Sequence, residues 1–146
     1  MYYGVTVDSS PAILFRWLCQ MRVAGYSYDW ISHLGRRSPR ELIAGLERLA
    51  VGQPVMTITD IVEFERDRHL TLQLRKPGIY YPPLAVSYLI VSANGDGCRL
   101  LVKCSLQFRP GLRDLVSRAI GPCLTSIMIR RQLLNLKGLS EHTDLD

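Results

Sequence analysis

Long apolar runs are missing from this sequence, and no stretch approaches the roughly 20 residues that a membrane-spanning helix needs. The opening Met1-Tyr2-Tyr3-Gly4 has no basic segment and no hydrophobic segment behind it, so no secretory signal is expected and a cytoplasmic location follows. C-x-x-C pairs are absent. The four cysteines, Cys19, Cys98, Cys104 and Cys123, have no histidine at metal-ligand spacing. His33, His69 and His142 lie far apart, which argues against structural zinc and for buried, reduced thiols. No block of five or six like charges appears, which argues against a nucleic-acid-binding tail. Phosphate-binding glycine loops, compact nucleophile motifs, internal repeats and long linkers are also lacking. The 146 residues are therefore read as one domain over 1–139, followed by an acidic tail, 140–146, that is expected to fray.

What is present fits a soluble globular chain. Apolar residues make up 47% and charged residues 21%, enough to build a core and keep a polar surface. The net charge of +5, from 18 basic and 13 acidic residues, helps solubility and favours anionic partners only modestly.

Local signals order the elements. Gly4 to Val7 reads as a short strand. Ser10 then offers a helix N-cap with Pro11 at the first helical position, where its missing N–H costs nothing. Leu14, Trp17, Leu18 and Met21 follow at helical spacing. Ser38, Pro39 and Glu41 have the spacing of a capping box, so a second helix is expected with Leu42, Ile43, Leu46 and Leu49 on its buried side. From Val55 onward strands dominate. In the first of them Met56, Ile58, Val62 and Phe64 fall on one face together with Asp60, and Thr59, Ile61 and Glu63 on the other. Leu70, Leu72 and Leu74 alternate with polar residues, and Leu84 to Ser92 continues the series. Asn94-Gly95-Asp96-Gly97 is a hairpin turn, after which Leu100, Val102, Cys104, Leu106 and Phe108 point one way. The last element is a long helix from about Gly111 to Lys137, with a kink or short break expected at Pro122.

The order of one strand, two helices, antiparallel strands and a long terminal helix resembles the helix-grip fold of the SRPBCC superfamily. That superfamily includes START lipid-transfer domains, pollen-allergen-like proteins and polyketide cyclases. Val7-Asp8-Ser9-Ser10-Pro11 is similar to its opening turn. Tyr26-Ser27-Tyr28-Asp29-Trp30, Ser38-Pro39-Arg40 and Arg130-Arg131-Gln132-Leu133-Leu134-Asn135-Leu136-Lys137 resemble a bacterial branch. The resemblance covers nearly the whole chain. It implies an α+β fold with a curved antiparallel sheet around the last helix, and a deep cavity between them that opens near the loops. A fold of this kind does not specify chemistry.

Several residues are candidates for that cavity. Asp60, on an apolar strand face, would orient a ligand hydroxyl or act as a base with a raised pKa, unless a bulge turns it outward or an arginine neutralises it. Tyr26, Tyr28 and Trp30 would form an aromatic rim. Asp29 and His33, four apart, would pair on a helix as a general base, but no nucleophile is spaced to use it. The favoured reading has Asp29 capping a short helix and the aromatics packing the core. Arg40 in a first helical turn, where the dipole disfavours a cation, points to an ion pair or an anionic ligand group. Tyr88 would offer a hydroxyl to a ligand or pack in the core. Tyr80 and Tyr81 would gate an opening or stiffen a surface turn. Arg130, Arg131 and Lys137 near a helix C-terminus stabilise it without needing a partner.

The leading expectation is binding of a small hydrophobic or amphipathic molecule, such as a lipid, polyketide or aromatic metabolite, with no metal or cofactor. The alternatives are a cyclase, aromatase or dehydratase using Asp60, Asp29 or His33, and a structural or regulatory module whose core is filled by its own side chains. A homodimer is compatible with the sequence, and nucleic acid is not an expected partner.

Overall fold

The computed structural model describes residues 1–26, 37–56, 58–76, 83–108 and 111–143. Strand β1 (Tyr2–Val7) leads into helix α1 (Pro11–Cys19), which ends in a short 3-10 turn at Gln20–Arg22. Ser10 caps α1 by accepting a hydrogen bond from the Ile13 N–H at 3.4 Å, and Pro11 takes the first helical position. Strands β2 (Pro54–Val55), β3 (Thr59–Glu65), β4 (His69–Leu74), β5 (Leu84–Ser92) and β6 (Cys98–Leu106) follow, and helix α2 (Leu112–Glu141) closes the chain.

The six strands form one antiparallel sheet in the order β1-β6-β5-β4-β3-β2. Hairpins connect β3 through β6 in sequence, while β1 returns to pair with β6 at an edge. The sheet curves, and α1 and α2 cover its inner side, which is the helix-grip arrangement. α2 rests mainly on β1 and α1. Two polar contacts lock it to the edge strand: the Tyr3 and Ser126 hydroxyls meet at 2.7 Å, and Lys137 Nζ donates to the Thr6 carbonyl at 2.7 Å.

Alternation on β4, β5 and β6 follows the sequence pattern, with Leu70, Leu72, Leu74, Val86, Tyr88, Ile90, Leu100, Val102 and Cys104 buried. Strand β3 departs from it. A bulge between Ile61 and Glu63 adds a residue, so Thr59, Ile61 and Phe64 face inward opposite Leu74, Leu72 and Leu70. Val62 and Ile58, expected inside, are exposed, and Asp60 lies on the outer face.

Two helical expectations are also corrected. Residues 37–53 carry turns and extended connections rather than the helix expected from Ser38, although Leu42 and Leu49 still pack against the core. A capping box satisfies a helix start only if the following turns gain packing, and here the Gln20 side chain takes the Ile43 N–H instead. α2 runs through Pro122 without a break and past Gly138 to Glu141. Ser140 and Glu141 therefore belong to its last turn. Ser140 is buried, and Glu141 receives the Asp8 N–H at 2.8 Å and Lys137 Nζ at 2.6 Å.

The bulge makes a direct prediction. Ile61→Ala removes a core side chain and should cost about 2–5 kcal/mol, whereas Val62→Ala should stay within about 0.5 kcal/mol. Urea unfolding of the two variants checks this, and the reverse ranking would restore unbroken alternation.

Candidate functional site

Cross-strand partners arrange the inner face of the sheet in apolar rows. One row runs Tyr3, Val102, Tyr88, Leu70 and Phe64, and the next runs Cys104, Val86, Leu72 and Ile61. Beyond them lie Leu106 beside Leu84, and Leu74 beside Thr59. Thr59 is satisfied locally, its hydroxyl donating to the Val55 carbonyl at 2.7 Å. Among the described residues, this face holds no carboxylate and no imidazole.

Tyr88 is the polar centre of the face. Its hydroxyl donates to Gln132 Oε1 at 2.7 Å, and Gln132 Nε2 donates onward to the Gly25 carbonyl at 2.5 Å. Gln132 lies on α2 between Ile129 and Leu136, so its amide enters the core with the apolar stripe of that helix. One turn on, Asn135 Nδ2 donates to the Tyr26 carbonyl at 2.8 Å. Tyr26 itself adopts a left-handed backbone, with φ of 52°. Its ring packs edge-on to Trp17 at 5.9 Å, and its hydroxyl donates to the Pro39 carbonyl at 2.9 Å. Gln20 completes the network by donating to the Glu41 carbonyl at 2.8 Å and to the Tyr26 hydroxyl at 3.3 Å. Burial pushes the Tyr88 hydroxyl well above its ordinary pKa, so it stays a neutral donor.

The structure thus brings Tyr26 and Tyr88 together through Gln132 and the Gly25–Tyr26 backbone. Asp60 stands apart. It lies on the outer face, where Arg75 clamps both carboxylate oxygens, with Arg75 Nη2 at 2.6 Å and Nε at 3.0 and 3.1 Å. That hydrogen bonding holds its pKa below the usual carboxylate range rather than above it, the opposite of what a cavity base needs. Arg40 is exposed and belongs to no helix. Tyr28, Asp29, Trp30, His33, Tyr80 and Tyr81 lie outside the described residues.

Gln20, Gln132 and Asn135 were not picked out from sequence. The available signal was Gln132 at helical spacing between Ile129 and Leu136, a polar residue on a stripe that buries its neighbours. The other unanticipated feature is an open cleft of about 630 Å³ where the β1–α1 turn, the β5–β6 hairpin and the end of α2 meet. Asp8, Ser9, Ser10, Gly95, Asp96, Gly97, Ser140 and Glu141 are among its walls. Ser9 Oγ is buried there without a hydrogen-bond partner. Burial opposes the charge of Glu141, but the Asp8 N–H and the Lys137 ammonium outweigh it and hold its pKa low.

The thiols divide sharply. Burial pushes Cys19 up to about 12 and Cys104 to about 11, and raises Cys98 as well, while Cys123 is exposed on α2. Among the described residues no three His, Cys, Asp or Glu side chains gather as metal ligands, and no helix is long and apolar enough to cross a membrane.

Solved structures share this architecture over almost the entire chain. A Mesorhizobium loti protein superposes with a TM-score of 0.57 at 18% identity, over 99% of this chain and 100% of its own. A START superfamily protein from Mycobacterium smegmatis gives a TM-score of 0.55 at 13% identity, over 97% and 96%. The di-domain ARO/CYC protein StfQ of the steffimycin biosynthetic pathway gives 0.52 at 12% identity, over 97% of this chain and 45% of StfQ. No protein-family model and no curated protein sequence matches the chain. At these identities the likeness defines the fold. It is a helix-grip fold, the architecture that these START superfamily and ARO/CYC structures share with it.

Two measurements follow from this geometry. Tyr88→Phe leaves Gln132 Oε1 buried without its donor and should cost about 1–3 kcal/mol. The Tyr88→Phe, Gln132→Leu double variant should lose less than the sum of the singles in a denaturation cycle. Titration with an aromatic disulfide reagent should find a single fast thiol in the native protein, Cys123, and four after denaturation; loss of the fast phase in Cys123→Ser identifies it.

Proposed function

We propose that this protein binds a small hydrophobic or amphipathic molecule, of the lipid, polyketide or aromatic class, between the inner face of the sheet and the first half of α2. The reading rests on how the apolar face ends. The Tyr88–Gln132 network fills the space under the second half of α2, where Ile129, Leu133 and Leu136 are buried. Past that network the face continues to Leu84 and Leu106, which are only half-buried. Leu115, about five helical turns before Leu133 and on the same side of α2, is 67% exposed. Apolar surface from a ligand would cover these side chains, at roughly 25 cal/mol per Å² removed from water.

Relatives in fold support the same reading, since one is a START superfamily protein and another an ARO/CYC protein. Binding is preferred to acid–base turnover because, among the described residues, the inner face holds no carboxylate and no imidazole, and its central hydroxyl, Tyr88, is held protonated and already donates to Gln132. Asp60 takes no part in this reading.

Titration with a fluorescent fatty acid such as cis-parinaric acid tests it. Saturable one-to-one binding is expected. Leu84→Trp and Leu106→Trp, which fill the half-buried end, should each weaken it at least about tenfold, given a loss of roughly 1.4 kcal/mol or more. Asp60→Asn should leave it unchanged. Failure of the native protein to bind this and other apolar probes saturably would overturn the reading and favour a core filled by its own side chains.

A further inference from the structure

The outer face of α2 carries large apolar side chains of its own. Ile120, Leu124, Ile127 and Leu134 are 51%, 56%, 52% and 53% exposed. They follow steps of four, three and seven residues, which align them in one stripe along the helix. Cys123, also exposed, sits within it. The stripe lies on the side of α2 opposite Ile129, Gln132, Leu133 and Leu136, whose burial fixes which way the helix faces. A helix apolar all round is ordinarily covered on all sides. Here one side is left in water, and four large apolar side chains more than half exposed on one helix form a patch of the kind that marks an interaction site.

Charge decides what fits it. From Leu115 to Ser140 the sequence has no acidic residue, against four cations, Arg118, Arg130, Arg131 and Lys137. Arg118 lies over the Phe108 ring, and Lys137 is engaged by Glu141 and the Thr6 carbonyl. Arg131 falls in the line of the stripe, between Ile127 and Leu134, and Arg130 flanks it; both are exposed. A second copy docked antiparallel about Ile127 would bring Arg130 and Arg131 of both helices along one seam. The acidic residues of the helix, Asp114 and Glu141, lie at its two ends, away from those arginines, which opposes pairing. A surface that supplies negative charge and accepts apolar side chains together answers both features.

We infer that this stripe, Ile120, Leu124, Ile127 and Leu134 with Arg130 and Arg131, docks the protein on an anionic lipid bilayer. The helix lies flat on the bilayer. Its apolar side chains enter the headgroup–acyl boundary while the guanidinium groups meet lipid phosphates. This contact uses the outside of α2 and stands independently of any ligand held on the inside.

Vesicle flotation separates the possibilities. Native protein is expected to float with vesicles of 70% phosphatidylcholine and 30% phosphatidylglycerol at 50 mM salt. Partition should drop at least tenfold at 500 mM salt and on pure phosphatidylcholine. Leu124→Glu with Ile127→Glu, and separately Arg130→Glu, should each reduce partition at least tenfold while leaving the thermal transition and fatty-acid binding in place. A polarity-sensitive dye on Cys123 should shift to the blue with the anionic vesicles only. Light scattering in the absence of lipid should give a monomer mass. No partition to anionic vesicles, or partition indifferent to these substitutions, overturns the inference. So does a dimer that Leu124→Glu with Ile127→Glu dissociates, which would assign the stripe to a second copy.

Discussion

Tyr88 donates a 2.7 Å hydrogen bond to Gln132 in the middle of an apolar face, and Gln132 hands its other end to the Gly25 carbonyl. Both side chains are buried, so each depends on the other for satisfaction. The pair ties the central strand of the sheet to α2, and α2 in turn to the segment that follows α1. Asn135 repeats the tie one turn later at Tyr26, whose left-handed backbone is secured by hydrogen bonds at its carbonyl and its hydroxyl. Sliding or rotating α2 by one residue would strand several buried polar groups at once. The angle and depth at which that helix crosses the sheet are therefore set by a few polar side chains, within a core whose apolar contacts alone are non-directional.

With its second half pinned in this way, α2 presents two different surfaces along its length. Inward, Leu115 is exposed and Leu84 and Leu106 are half-buried, the end of the apolar face at which a ligand is proposed to lie. Outward, Ile120, Leu124, Ile127 and Leu134 stand in water beside two arginines. In the reading proposed here, an apolar molecule held on one side of the helix would have a short path to a bilayer met by the other. The division of the cysteines matches this plan: three are core thiols whose burial suppresses the thiolate, and the fourth lies on the outward stripe.

Much of the fold was legible in residue order. Ser10-Pro11, the Asn94–Gly97 turn and the alternation of β4, β5 and β6 each rest on local chemistry that survives in any tertiary setting. Asp60 shows where that legibility stops. Its place on the apolar side of β3 assumed unbroken alternation, and one extra residue between Ile61 and Glu63 exchanged the faces. A bulge is settled by the neighbouring strand's register, which no window of sequence contains. The capping box at Ser38 failed for a related reason: Gln20, far away in sequence, offers the Ile43 N–H a partner without a helix.

What the sequence determined alone was the set of elements and the apolar side of most of them, because period, cap and turn signals act over a few residues. It also determined the cationic character of α2 between Leu115 and Ser140, which is a matter of composition. Which polar groups meet inside was decided only by the tertiary structure. Tyr88 and Gln132 are 44 positions apart, and Gln132 and Gly25 are 107 apart. Hydrogen bonds over such separations exist only once the sheet has curved and the helix has crossed it, since their geometry depends on the packing they then lock in place.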